Sequence, residues 1–152
     1  GTVTHKLLQI LPDLPLEGRE RAALGFVAHP AHDLPESVQR EIVDEVLRLL
    51  ALPDFSDLFG KDSMAEVPIT GVVDGRVVSG QIDRLVVRDH DVLIIDYKTN
   101  RPSPISPDAI PALYHSQMEA YRRTLTHIYP DKTIRAFLLW TDRMHLMEIG
   151  TP

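Results

Sequence analysis

Two acids interrupt β-branched apolar runs: Asp83 in Gly80-Gln81-Ile82-Asp83-Arg84, within Arg76 to Val87, and Asp96 in Ile95-Asp96-Tyr97-Lys98-Thr99-Asn100, following on from Val92. Each carboxylate would be delivered to the centre of a sheet, where it is costly to desolvate and where a bound cation is the usual way to offset that cost. Lys98 lies two residues beyond Asp96 and so shares its strand face. Two acids on neighbouring strands with a cation beside the second describe a divalent-metal site suited to phosphodiester cleavage. Taken singly, either acid has an ordinary explanation as a bulge, an edge residue or an ion-pair partner. Taken with Lys98 they do not reduce to that, because a buried Asp–Lys pair roughly breaks even in stability.

The elements that must position these residues can be read from periodicity. Val3, Leu7, Leu8 and Leu11 mark one face of a first helix that ends at Pro12. A second helix covers Glu17 to Ala28, before Pro30. A third starts near Asp33, Pro35 and Glu36, carries Val38, Ile42, Val46, Leu49 and Leu50 at helical spacing, and stops at Pro53. The segment 54–62 reads as a turn-rich connection. Strand chemistry begins at Glu66 and turns at Asp74-Gly75, a strong hairpin dipeptide, into a return strand from Arg76 to Val87. Asp89-His90-Asp91 leads into Val92 to Lys98, giving three antiparallel strands. After a loop with four prolines between Arg101 and Pro111, Leu113, Gln117, Tyr121, Leu125 and Ile128 predict a helix over 112–129, and Ile134 to Trp140 and Leu146 to Ile149 a closing hairpin. The fold class expected is α/β, a central mixed β-sheet flanked by helices, with a helical N-terminal third over about 1–60 and a catalytic sheet and helix over about 64–150, together one domain over 1–152.

Composition bounds the function. A chain of 152 residues, 43% hydrophobic, suffices for one core, burying about 68–70% of its unfolded surface. The formal net charge of -6 excludes a basic-tail nucleic-acid binder but not a local basic groove. The absence of cysteine excludes disulfides, zinc ribbons and cysteine-ligated clusters within the chain. No apolar run approaches the length of a membrane span, and no charged-then-apolar leader opens the sequence, so a soluble, cytoplasmic protein without a membrane partner is expected. There is no G-x-x-x-x-G-K-[ST] loop, so any motor would lie in a longer parent protein. His29 and His32, beside Pro30, have no partner acid at ligand spacing and read as surface residues.

The order of a strand acid, G-x-I-D-R, I-x-D-Y-K-T and a helical Q-x-x-x-Y resembles the PD-(D/E)XK nuclease superfamily. Within it the chain is similar to the RecB-like branch and to the C-terminal nuclease domain of AddA-type helicase-nuclease subunits. The likeness runs from Thr4-His5-Lys6-Leu7-Leu8 through Trp140. It implies a restriction-endonuclease-like core in which Asp83 and Asp96 are the metal-binding acids and Lys98 the catalytic lysine. It further implies that His5 and the main-chain carbonyl of Tyr97 are metal ligands, that Gln117 and Tyr121 position substrate or lysine, and that Glu66 is the recurrent acid of the first strand. On the residues alone, His5 could be a solvated histidine, and Gln117 and Tyr121 ordinary helix-face residues. Oxygen ligands of this kind suit Mg²⁺, and the histidine allows Mn²⁺ to substitute. The function implied is a metal-dependent deoxyribonuclease of exonuclease type, a module of a bacterial double-strand-break repair helicase-nuclease. Its partners would be DNA, the rest of the parent helicase chain and an AddB-type subunit. The alternatives are a stand-alone RecB-like exonuclease and a degenerate DNA-binding or scaffolding module.

Overall fold

The computed structural model describes residues 1–150. Helix α1 (Thr2–Ile10) continues into a 3₁₀ turn over Leu11–Asp13, where Pro12 withholds the amide that another α turn would need. The expected second helix divides at Gly18 into a 3₁₀ turn, Leu16–Gly18, and α2 (Arg19–Val27). Helix α3 (Glu36–Ala51) begins after Pro35, and the stretch expected to be a plain turn-rich connection opens with 3₁₀ helix, Pro53–Phe59, which buries Phe55 and Leu58. Strand β1 (Ser63–Val73) starts three residues before Glu66. The Asp74-Gly75 turn has φ 53 and 76, a left-handed pair that favours the tight return into β2 (Arg76–Val87). Then follow β3 (Asp91–Lys98), α4 (Ala112–Ile128), β4 (Thr133–Trp140) and β5 (His145–Ile149).

The five strands form one mixed sheet in the order β1-β2-β3-β4-β5, with β3 parallel to β4 and every other pair antiparallel. The expected α/β class, a mixed sheet flanked by helices, is what the chain adopts. β3 is buried from Val92 to Tyr97 because both of its faces are covered, which is why its sequence is a continuous apolar run. One face packs Leu93, Ile95 and Tyr97 against the N-terminal helices through Leu7, Leu8, Leu11, Val43 and Leu49. The other packs Val92 and Ile94 against α4 through Met118, Tyr121 and Leu125. Among the described residues no helix is long and apolar enough to cross a membrane.

Only the last four residues of β2, Arg84 to Val87, pair with β3, whereas β1 follows β2 along its length. The distal β1–β2 ribbon therefore leaves the sheet and lies on α4. A side chain at Gly71 would come within 2.6 Å of Thr124 Cγ2, and Arg123 of α4 grips Asp74 at the ribbon tip through two hydrogen bonds of 2.7 and 2.9 Å.

Candidate active site

The departure of β2 from β3 creates the site. Their ladder ends at Arg84↔Ile95, and the same register sets Asp83 opposite Asp96 at the first position beyond it. Here the side-chain alternation of β2 reverses: Val86 packs with the N-terminal helices, but Ile82 packs with α4. The matching irregularity on β1 is Glu66, with φ 53, lying between the pairs Ala65↔Arg84 and Val67↔Ile82. A strict period of two would commit Asp83 to one face of the sheet. The reversal instead puts it at the rim, within reach of α1 on one side and of Asp96 on the other.

Asp83 Oδ2 accepts a 2.8 Å hydrogen bond from the Tyr97 backbone N–H, taking the place of the lost ladder partner. The same oxygen is 3.3 Å from His5 Nε2. His5 Nδ1 is 2.8 Å from the Gly1 carbonyl, one turn earlier in α1, and donates to it. That bond fixes the tautomer: a neutral His5 must present the lone pair of Nε2 toward Asp83, as a metal-ligating imidazole does. With the second proton on, the hydrogen bond to Asp83 holds the His5 pKa above its ordinary value despite partial burial.

Asp96 is 9% exposed and pairs with Lys98, Nζ to Oδ2 at 2.9 Å, while the same ammonium lies 3.8 Å from the centre of the Tyr114 ring on α4. Burial, and then the charge of Asp83, push the Asp96 carboxyl up, and Lys98 counters only part of that rise. Burial and Asp83 also raise Glu66. Both shifts mark an environment that disfavours further negative charge and favours a cation. Among the described residues no three His, Cys, Asp or Glu side chains are gathered into a ready ligand cluster. The acids stand instead as two pairs, His5 with Asp83 and Asp96 with Lys98, each carboxylate held by its nearest nitrogen. The donor set nevertheless fits a divalent ion, with two carboxylates facing across a strand gap, the Tyr97 main chain between them and an imidazole of defined tautomer.

These groups line one open cavity of about 320 Å³, together with Gln81, Thr99, Asn100, Tyr114 and Gln117. Gln117 is exposed there and donates to the Tyr121 hydroxyl at 3.3 Å. Tyr121 is buried beneath the ribbon, and a Cβ at Gly80 would meet its hydroxyl at 2.2 Å. The glycine of G-x-I-D-R thus makes room for the tyrosine of Q-x-x-x-Y, a link between two motifs that spacing alone does not reveal.

Arg84 and Tyr114 have roles that motif spacing does not reveal. Arg84, 3% exposed, donates to the Leu8 carbonyl at 2.8 Å, Ser63 Oγ at 3.2 Å and the Tyr97 hydroxyl at 3.3 Å, and lies 5.1 Å from the centre of the Phe59 ring. Burial pushes the Tyr97 phenol up to about 12, so it remains a neutral acceptor. One guanidinium therefore ties together α1, which carries His5, and the strands that carry Asp83 and Tyr97. An arginine inside an apolar strand run was the available signal.

Asp83→Asn should bring the His5 pKa back toward its ordinary value, because the hydrogen bond that raises it most is weakened and the charge is removed. An NMR titration of His5 in EDTA for both proteins reads this directly. A folded pKa raised above the unfolded value stabilises the metal-free protein fully below about pH 6.5 and ceases to do so as pH rises through the folded value. The variant should lose that pH dependence, and an unchanged His5 titration would remove Asp83 as its partner.

Several solved structures resemble the chain. "Crystal structure of SSO0001" matches 99% of this chain and 66% of its own at 20% identity and a TM-score of 0.39. Protein VC1899 from Vibrio cholerae matches 91% of this chain and 41% of its own at 16% identity and a TM-score of 0.38. The chain thus spans less than two thirds of the length of either. No curated protein matches it significantly. A family model does, covering residues 1–147, which takes in α1 with His5, both strand acids, Lys98 and the α4 pair. By that match the chain belongs to the PD-(D/E)XK nuclease superfamily.

Proposed function

We propose that the chain is a metal-dependent deoxyribonuclease that hydrolyses phosphodiester bonds by direct attack of water, acting as the RecB-like, exonuclease-type module of a larger bacterial helicase-nuclease of the AddA–AddB kind. The observation that carries the reading is the placing of Asp83 opposite Asp96, just past the end of the β2–β3 ladder, with Lys98 2.9 Å from Asp96 over an open cavity. A Mg²⁺ or Mn²⁺ ion held by Asp83, Asp96, the Tyr97 carbonyl and His5 Nε2 would polarise the scissile phosphate and acidify the attacking water.

The chain's own residues do the rest. Lys98 places a fixed positive charge beside the reacting phosphate, where charge develops in the transition state. Tyr114 confines the ammonium and with Gln117 forms the α4 wall of the cavity, while Tyr121 holds the Gln117 amide from behind. The Gly1 carbonyl keeps the His5 imidazole in one tautomer. No nucleophilic side chain is needed.

The test is cleavage of end-labelled DNA by the full-length protein. Cutting should require Mg²⁺ or Mn²⁺, stop in EDTA and fall below detection in Asp96→Ala. Undiminished cutting in EDTA or by Asp96→Ala would contradict the reading. DNA binding without cutting in either metal would support the non-catalytic scaffold instead.

A further inference from the structure

A second, larger cavity of about 920 Å³ meets the candidate active site at His5 and Asp83. It runs between α1 and the end of α2, and its size is that of sites that enclose small organic ligands. One wall is the polar face of α1: His5, Lys6 and Gln9 line it, while Leu7, Leu8 and Leu11 point the other way into the core. Across the groove stand Phe26 of α2 and His32 of the 3₁₀ turn Pro30–His32, their ring centres 4.6 Å apart and tilted by 46°. The turn is locally braced, because His29 Nδ1 accepts from the Ala31 amide at 3.1 Å and the His29 ring lies 5.9 Å from that of His32. His32 is half-buried at this surface, and His29 is exposed.

We propose that Phe26 and His32 form a stacking subsite for one unpaired nucleobase of a single-stranded substrate, next to the nucleotide whose phosphate is cut. The inference rests on the nuclease reading and names the form of nucleic acid that this site accepts. Two observations and one property of nucleic acids carry it. The cavity shares His5 and Asp83 with the candidate active site, so a strand whose phosphate lies at Asp83 can carry its neighbouring nucleotide into the groove. The groove is lined by the packed ring pair Phe26 and His32, against which a base can stack, and by Lys6 for an adjacent phosphate, on a chain whose net charge of -6 gives little general attraction to DNA. A base within a duplex is stacked and paired on every side, so only an unpaired one can present a face to Phe26. Because every base has a π-face, the subsite selects for an unpaired strand and not for a sequence.

The probe is a single-stranded oligonucleotide carrying one 2-aminopurine walked along its length, bound to the full-length chain in EDTA so that binding is read apart from cutting. Fluorescence should be quenched at one or two adjacent positions. Phe26→Leu, which keeps the apolar packing but removes the ring, and His32→Ala should each abolish the position-specific quench and weaken binding by about 5- to 100-fold. Phe26→Tyr should restore both. No binding, a quench that is uniform along the strand, or a quench unchanged in Phe26→Leu and His32→Ala would overturn the subsite. A protein that quenches but never cuts in Mg²⁺ would keep the subsite and refute the nuclease reading; one that cuts without a local quench would do the reverse.

Discussion

Lys98→Ala is expected to lower the rate of DNA cleavage by about 10²–10³ while divalent-metal binding persists, the scale of losing one positioned stabiliser of transition-state charge. The lysine is no freely solvated cation. Its side chain is 15% exposed, held at 2.9 Å by Asp96 and backed by the Tyr114 ring, so its charge arrives at the reaction already oriented. It supplies no metal ligand, which is why binding and chemistry should separate in this variant. Lys98 also lowers the Asp96 pKa, so without it protons should compete with the metal to a higher pH. Single-turnover cleavage and calorimetric titration with Mn²⁺ check the two halves. Wild-type cleavage would remove the lysine from the mechanism, and loss of metal binding at neutral pH would make it a structural partner of Asp96.

Arg84→Met should be the most damaging substitution outside the cavity. Methionine fills similar apolar volume but leaves the Leu8 carbonyl, Ser63 Oγ and the Tyr97 hydroxyl without their buried donor. Unpaired buried polar groups cost about 1–3 kcal/mol each. With partial relaxation, a loss of about 2–4 kcal/mol is expected, or a fall of roughly 5–15 °C in melting temperature. Since α1 carries His5, the variant that remains folded should also bind metal more weakly. Ser63→Ala removes one acceptor and should cost far less. A melting temperature close to wild type for Arg84→Met would show that packing of Leu7, Leu8 and Leu11 alone holds α1 to the sheet.

Most of the frame was legible because it obeys single periods. The continuous apolar run of β3 and the helical spacing of α4 each arise from which faces are covered, and the bounds Arg76–Val87 could be read from the Asp74-Gly75 turn onward. The parts that escaped break a period or depend on distant contacts. Glu66 at positive φ and the reversal at Asp83 have no signature in apolar spacing, yet they decide that Asp83 reaches His5. Gly80 read as part of a motif, and only the approach of Tyr121 from a helix some forty residues away explains it. The resemblance nominated His5, Asp83, Asp96 and the Tyr97 carbonyl as metal ligands. The fold brings them to one rim, but divides them between two ion pairs.

That division makes the central claim directly measurable. Crystals of the protein grown with Mn²⁺ should give one anomalous difference peak between Asp83 and Asp96, within about 2.0–2.3 Å of a carboxylate oxygen from each. His5 Nε2 should have turned from Asp83 toward the ion. The peak should vanish in Asp96→Ala. Absence of the peak at millimolar Mn²⁺ with both carboxylates ordered, or a peak held elsewhere on the molecule, would contradict the account.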